Sequence, residues 1–285
     1  MTDEVIMLAK NYPYKKTVFP VSCSEKLDGT AAWFQVEKFK PGGIKAHSRQ
    51  DKPYHSVQHI QEWLWNNYLP DNVRIVGELA VPGMPFKEAS GIIRRNVTDE
   101  RIVLNVYDWF EFDCPNMEYV DRMHNMYARV GKMCTGTSPV RLIPGKLCNN
   151  EAELNEHLSR FMQDNPEAEG VMIRPLRGKD SIYKFGRSWG LLRYKPWETE
   201  DLEVLSFEEG KGEHAGMVGR INVRYNGEVV GCGPGKMTHK EREHAWVFQA
   251  EYIGKTAEIQ FKKDNTYDAM REPTFQRWRP DKDAA

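Results

Sequence analysis

Apolar positions along the chain follow two spacings, and the change from one to the other divides it. From Val18 to Val36, small, β-branched and aromatic residues flank a polar loop, which predicts strand, loop and strand, with a short neighbouring segment at Ile44 to Arg49. Val57, Ile60, Leu64 and Tyr68 then recur at intervals of three and four. They predict a helix whose core-facing side is thickened by Trp63 and Trp65 and which ends at Pro70. Strands are expected at Val73 to Val81, stopped by Pro82-Gly83, and at Arg101 to Phe112. Helical spacing returns over Tyr119 to Met133 and Glu151 to Asn165, followed by strands at Gly170 to Arg174 and Trp189 to Tyr194, the latter running into Lys195-Pro196. After Trp197 to Asp201 the texture changes. Short strands at Leu202 to Phe207, Gly216 to Tyr225, Glu228 to Cys232 and Thr256 to Phe261, with one helix near Lys240 to Tyr252, describe a small barrel. A boundary is placed at residue 198, giving an α+β domain over 1–198 and the barrel over 199–285.

Composition narrows the class. The chain of 285 residues is 40% hydrophobic and 28% charged, ordinary for a globular protein with a real core. No stretch approaches the run of about 18 apolar residues that a membrane span needs. Residues Met1 to Lys10 carry no basic segment followed by an apolar run, so a cytoplasmic protein is expected rather than a secreted one. Five scattered cysteines without a Cys-x-x-Cys pair argue against a disulfide framework and against zinc. The net charge of −1 predicts no nucleic-acid partner by itself, but phosphate is bound by patches. Two basic stretches qualify: Arg94-Arg95, and the run from Arg174 to Lys195 with Arg177, Lys179, Lys184, Arg187 and Arg193. His55 and His59 lie four apart with no third ligand in view and are read as surface histidines.

The candidate chemistry starts at Lys26 in Ser24-Glu25-Lys26-Leu27-Asp28-Gly29. A free lysine has a pKa of about 10.4, so the neutral amine at pH 7 is disfavoured by roughly 4.6 kcal/mol. A lysine that attacks must recover this from nearby cations or from desolvation. Glu78 is an acid inside an apolar strand, costly unless partnered. Tyr107 beside Asp108 offers a flat π face, and Glu169 precedes another apolar strand.

Lys26-x-Asp28-Gly29 resembles the first motif of the covalent nucleotidyltransferases, the family of ATP-dependent DNA ligases, RNA ligases and capping enzymes. Five further segments resemble the later motifs in order. These are Val76-Gly77-Glu78, Val106-Tyr107-Asp108, Glu169-Gly170-Val171, Leu192-Arg193-Tyr194-Lys195 and Arg279-Pro280-Asp281-Lys282. The resemblance implies an α+β nucleotidyltransferase domain of mixed, mainly antiparallel sheets with helices, followed by an oligonucleotide-binding (OB) fold. It implies ATP as cofactor, with Lys26 carrying the adenylate, Asp28 and Lys195 completing the catalytic set, and Ser24, Glu78, Tyr107, Arg193, Lys195, Arg279 and Lys282 binding the nucleotide. Glu169 and Glu78 would hold Mg2+, a hard cation suited to carboxylates. Ala89 to Arg94, Gly186 to Trp189 and Arg271 to Phe275 look most like small bacteriophage DNA ligases. That likeness implies a monomer acting on nicked duplex DNA, with Arg49, Arg94 and Arg187 as DNA contacts; a bidentate guanidinium suits a 5′-phosphate.

Three positions depart from the pattern. Ala31 stands where ligases usually carry an arginine, Arg193 replaces a lysine, and Ser24 occupies a position that is often acidic. Because RNA ligases share the first departure, an RNA ligase or capping-type enzyme stays open as an alternative. A non-catalytic nucleic-acid-binding protein on the same fold is a further one, although Lys26, Asp28, Glu78, Glu169 and Lys195 are all intact.

Overall fold

The computed structural model describes residues 5–12, 17–36, 43–67, 69–132, 134–165, 168–195, 197–264 and 269–283. Tyr68, Met133 and Pro196 lie outside them. The chain divides into two compact units, Met1–Tyr194 and Lys195–Ala285. Among the described residues no helix is long and apolar enough to cross a membrane.

The first unit holds β1 (Met7–Asn11), β2 (Val21–Glu25), β3 (Thr30–Val36), β4 (Ile44–Ser48), α1 (Gln58–Asn66), β5 (Val73–Ala80), α2 (Phe86–Ile93), β6 (Val103–Glu111) and α3 (Tyr119–Met126). It continues with β7 (Val140–Leu142), β8 (Lys146–Cys148), α4 (Glu151–Asp164), β9 (Val171–Pro175) and β10 (Gly186–Tyr194). Two five-stranded sheets result, ordered β1-β10-β9-β2-β8 and β4-β3-β5-β6-β7. Among the described residues of this unit only β1 with β10 and β6 with β7 pair in parallel, so the sheets are mainly antiparallel, as the family resemblance implied.

Period-two alternation fixes which face each strand gives to which core. On β9, Val171 and Ile173 pack with Leu154 and Leu158 of α4, while Met172 and Arg174 point to the opposite side. On the second sheet, Phe34, Ile75, Leu79 and Leu104 join Ile60 and Leu64 of α1 in the largest core. Between the sheets lie Met7, Trp33, Val76, Phe110, Tyr183 and Leu191. Trp65 corrects the expectation for α1: it is 40% exposed, because the buried stripe through Ile60 and Leu64 turns it outward. The predicted helix over 119–133 is α3 followed by a π-helical turn at Tyr127–Gly131.

The second unit contains β11 (Glu198–Glu209), β12 (Val218–Tyr225), β13 (Glu228–Cys232), α5 (His239–Val247), β14 (Thr256–Asp264) and β15 (Ala269–Trp278), in the sheet order β13-β12-β11-β14-β15. The long strand β11 pairs with β14 through its first half and with β12 through its second. That sharing lets the sheet curl. Closure comes where Gly233 donates to Pro273 O at 2.9 Å and accepts from Phe275 N at 3.0 Å, which joins the two edges and leaves a small barrel. Its interior holds Val204, Ile221, Val223, Ile259 and Phe261. A capping box of Thr238 with Glu241 starts α5.

Candidate active site

Two antiparallel neighbours set the centre of the site. β2 ends at Glu25 opposite Val171, where β9 begins, so the residues just after one strand and just before the other meet at one sheet edge. Lys26 N donates to Gly170 O at 2.9 Å, and Gly170 takes a φ of 141°, a region that favours glycine. The Lys26 ammonium is thereby brought onto the Glu169 carboxylate, with which it forms a hydrogen-bonded ion pair. Their side chains are 21% and 18% exposed, so the amine is not open to bulk water on a rim.

The loop that follows is held over the second sheet. Ala31 on β3 pairs with Glu78 on β5, and a Cβ on Gly29 would lie 2.5 Å from Glu78 Cγ and 2.7 Å from Leu79 O. Only glycine lets the chain pass this close. Burial pushes the Glu78 carboxyl up to about 8; Glu169 and Asp28 add to the rise against the pull of Lys26 and Arg49. Like charge nearby adds to the cost of ionising a buried carboxyl, and the cations offset part of it.

These groups line a cavity of about 290 Å3, at the small end of the ligand-site range of about 300–1,000 Å3. Of the residues singled out from sequence, it gathers Ser24, Lys26, Asp28, Arg49, Glu78, Tyr107, Glu169, Arg187 and Arg193. Tyr107 comes from β6, and its phenol is raised well above its ordinary range, chiefly by burial. Arg193 Nε donates to Asn11 Oδ1 at 2.8 Å and Arg187 Nη1 to Ala9 O at 3.1 Å, which ties both arginines of β10 to β1. Arg94 caps the C-terminus of α2 and is not among the lining residues. Lys195, Arg279 and Lys282 belong to the second unit. There, Arg279 meets Asp201 at 2.8 Å, Asp281 at 2.9 Å and Glu258 at 3.4 Å.

Several wall residues escaped the sequence reading. Met172 and Arg174 follow from the alternation on β9 and could have been found by it. Ile143 and the segment from Ile6 to Ala9 have no local signal, because β1 pairs with a strand nearly the whole unit away in sequence. The basic run from Arg174 is also not one solvated face: Arg174 is buried against Asp108, and Arg177 pairs with Glu118 and Asp121. His59 hydrogen-bonds Ile102 O at 2.8 Å.

Comparison with known proteins agrees with this architecture. The family model for the DNA ligase OB-like domain matches residues 209–279. A probable DNA ligase of Pseudarthrobacter chlorophenolicus is 27% identical over 150 residues, 52% of this chain but only 27% of that protein. Among solved structures, a Lig E DNA ligase aligns over 98% of this chain and 100% of its own at 22% identity with a TM-score of 0.62. The ATP-dependent DNA ligase of bacteriophage T7, solved in complex with ATP, aligns over 96% and 98% at 16% identity with a TM-score of 0.56. The second unit therefore carries a DNA ligase OB-like domain, and the chain as a whole has the fold of the ATP-dependent DNA ligases.

Proposed function

We propose that this protein is an ATP-dependent DNA ligase that seals nicks bearing a 3′-hydroxyl and a 5′-phosphate in duplex DNA, working as a monomer. Its nucleotidyltransferase domain would span 1–198 and its OB domain 199–285. The observation that carries the reading is the Lys26 amine paired with Glu169 at the wall of a cavity that also holds Glu78, Tyr107 and Arg193.

In this reading Lys26 attacks the α-phosphorus of ATP. An N–P bond forms, the bond to the bridging oxygen breaks, and pyrophosphate leaves. The nick 5′-phosphate then attacks the same phosphorus, which frees the amine and makes a 5′–5′ DNA-adenylate. Finally the 3′-hydroxyl attacks the nick phosphate and AMP departs. Glu169 holds the amine against the cavity wall, and Asp28 lies in the same loop. Tyr107 stacks on the purine, while Ser24 and Glu78 hydrogen-bond the nucleoside. Arg193 and Lys195 take charge building on the α-phosphate, and Arg279 with Lys282 meets the leaving pyrophosphate. Arg49, Arg94 and Arg187 grip the nicked strand.

The residues present fit Mg2+. Glu169 and Glu78 offer hard oxygens, and a dication would supply the positive charge that Glu78, lifted chiefly by burial, otherwise takes from a proton. Among the described residues no group of three or more His, Cys, Asp or Glu side chains could hold a metal, so phosphate and water would fill the remaining positions. When bound, the ion would neutralise phosphoryl charge and orient the triphosphate.

Incubation with α-labelled ATP and magnesium, followed by mapping of the labelled residue, tests the reading. Label on Lys26 that is chased into sealed DNA by a nicked duplex without further ATP is the expected result. Label on any other residue, or label that a nick cannot discharge, overturns it.

A further inference from the structure

One carboxylate and two guanidiniums share the interior of the first unit. Asp108 accepts from Arg122 at 2.9 and 3.2 Å and from Arg174 at 2.7 Å, and all three side chains are at most 3% exposed. One positive charge is left over, which is costly in a protein interior.

The two arginines differ in what else they do. Arg122 is tied to the backbone, donating to Met117 O at 2.9 Å and Ser181 O at 2.7 Å. Arg174 makes no such carbonyl bond among the described residues. It lines the cavity, and its guanidinium stands over the Tyr107 ring, 5.2 Å from the centroid, and 5.0 Å from that of Tyr119. Arg122 alone would balance Asp108 and brace the fold. Arg174 is the surplus cation, and it sits at the cavity wall beside the aromatic face.

We infer that Arg174 is a positioning residue for the bound purine nucleotide. Anchored by Asp108, it holds the plane of the Tyr107 ring through a cation–π contact, and its remaining N–H groups offer donors to acceptor atoms of the base. The leftover charge is then answered by the ligand. The inference rests on the nucleotide-binding reading of the cavity. No bond is made or broken at Arg174, so its effect falls on binding rather than on chemistry.

Single-turnover self-adenylylation at graded ATP concentrations separates the two, with melting temperature measured alongside. Arg174→Met leaves the neutral Asp108–Arg122 pair behind and should raise the half-saturating ATP concentration roughly tenfold, with the saturated rate within about twofold of wild type. Arg174→Lys keeps a cation over the ring and should recover much of the affinity. Arg122→Met should instead lower the melting temperature. If Arg174→Met does not fold, the same measurement on Arg174→Gln decides. Unchanged half-saturation overturns the inference, as does a loss seen only in the saturated rate and the melting temperature. A wild-type chain that takes no label overturns the nucleotidyltransferase reading itself, and this inference with it.

Discussion

Lys26 and Arg279 are motif cations of like exposure, 21% and 18%, and each is held by carboxylates, yet their surroundings differ in kind. Arg279 is saturated: Asp201, Glu258 and Asp281 converge on its guanidinium, and its backbone N donates to Thr256 O at 2.9 Å. Those carboxylates hold it above its ordinary range, Asp281 foremost. Lys26 pairs with Glu169 beside Glu78, a carboxyl that burial pushes up to about 8. The first cluster is closed on itself and pins strand ends of the barrel. The second lines a cavity and includes a carboxyl whose proton a dication could replace. A motif cation thus faces a cavity in one place and is largely a brace in the other, and the distinction lies in what surrounds it.

The largest expected effect tests the first half of that contrast. Lys26→Arg keeps a cation for Glu169 but lacks a transferable amine, so label transfer from α-labelled ATP should fall by roughly a thousandfold or more. Labelling that persists would mean the ion pair, not the amine, is what the cavity needs. Next in size, Glu169→Gln keeps shape and loses charge, and the adenylylation rate should drop roughly 10- to 100-fold, with the deficit largest at low magnesium. A rate that is equally depressed at every magnesium concentration would limit Glu169 to holding the amine.

The second half of the contrast predicts stability effects. Arg279→Ala should lower the melting temperature by scanning fluorimetry, and Asp201→Asn should do so by a smaller amount, since Asp281 and Glu258 remain. If Arg279→Ala melts with wild type, the cluster is not a brace, and Arg279 is available for phosphate in the same sense as Lys26.

The same contrast marks how far the sequence could be read. Long, strongly patterned elements such as β5, β6 and α4 were legible because burial on one face writes a period into the chain. β1, β7 and β8 were not: each is five residues or fewer, and each is held by partners distant in sequence. The helix α2 hid behind Pro85 and a Gly91 inside its last turn. β15 hid because polar and charged residues on its exposed face interrupt its apolar pattern. For the site, motif residues on strand ends of the first unit line one cavity. Arg174 was grouped with the basic run as a phosphate-binding patch, since nothing local says that its carboxylate, Asp108, lies 66 positions earlier. The closed state of the Arg279 cluster was equally invisible, because Asp201 and Glu258 reach it from separate strands.

The smallest effect is one of pH, and its sign follows from the direction of the shift. Glu78 has its carboxyl raised from 4.5 to about 8 in the folded protein, chiefly by burial, so the folded state holds its proton more tightly than the unfolded chain. The stability this contributes is fully present below about pH 4.5 and is lost as pH rises through about 8. Glu78→Gln carries no such proton. In a metal-free buffer, wild type should therefore lose melting temperature relative to Glu78→Gln steadily from pH 5 to pH 8. Magnesium added at the alkaline end should return part of the loss to wild type and little to the variant, because a dication supplies the positive charge that the proton had supplied. A difference between the two proteins that stays flat with pH would mean that Glu78 is already ionised at neutrality. The Lys26 cluster would then hold no proton for a dication to replace, and the contrast between the two clusters would have to rest on the cavity walls alone.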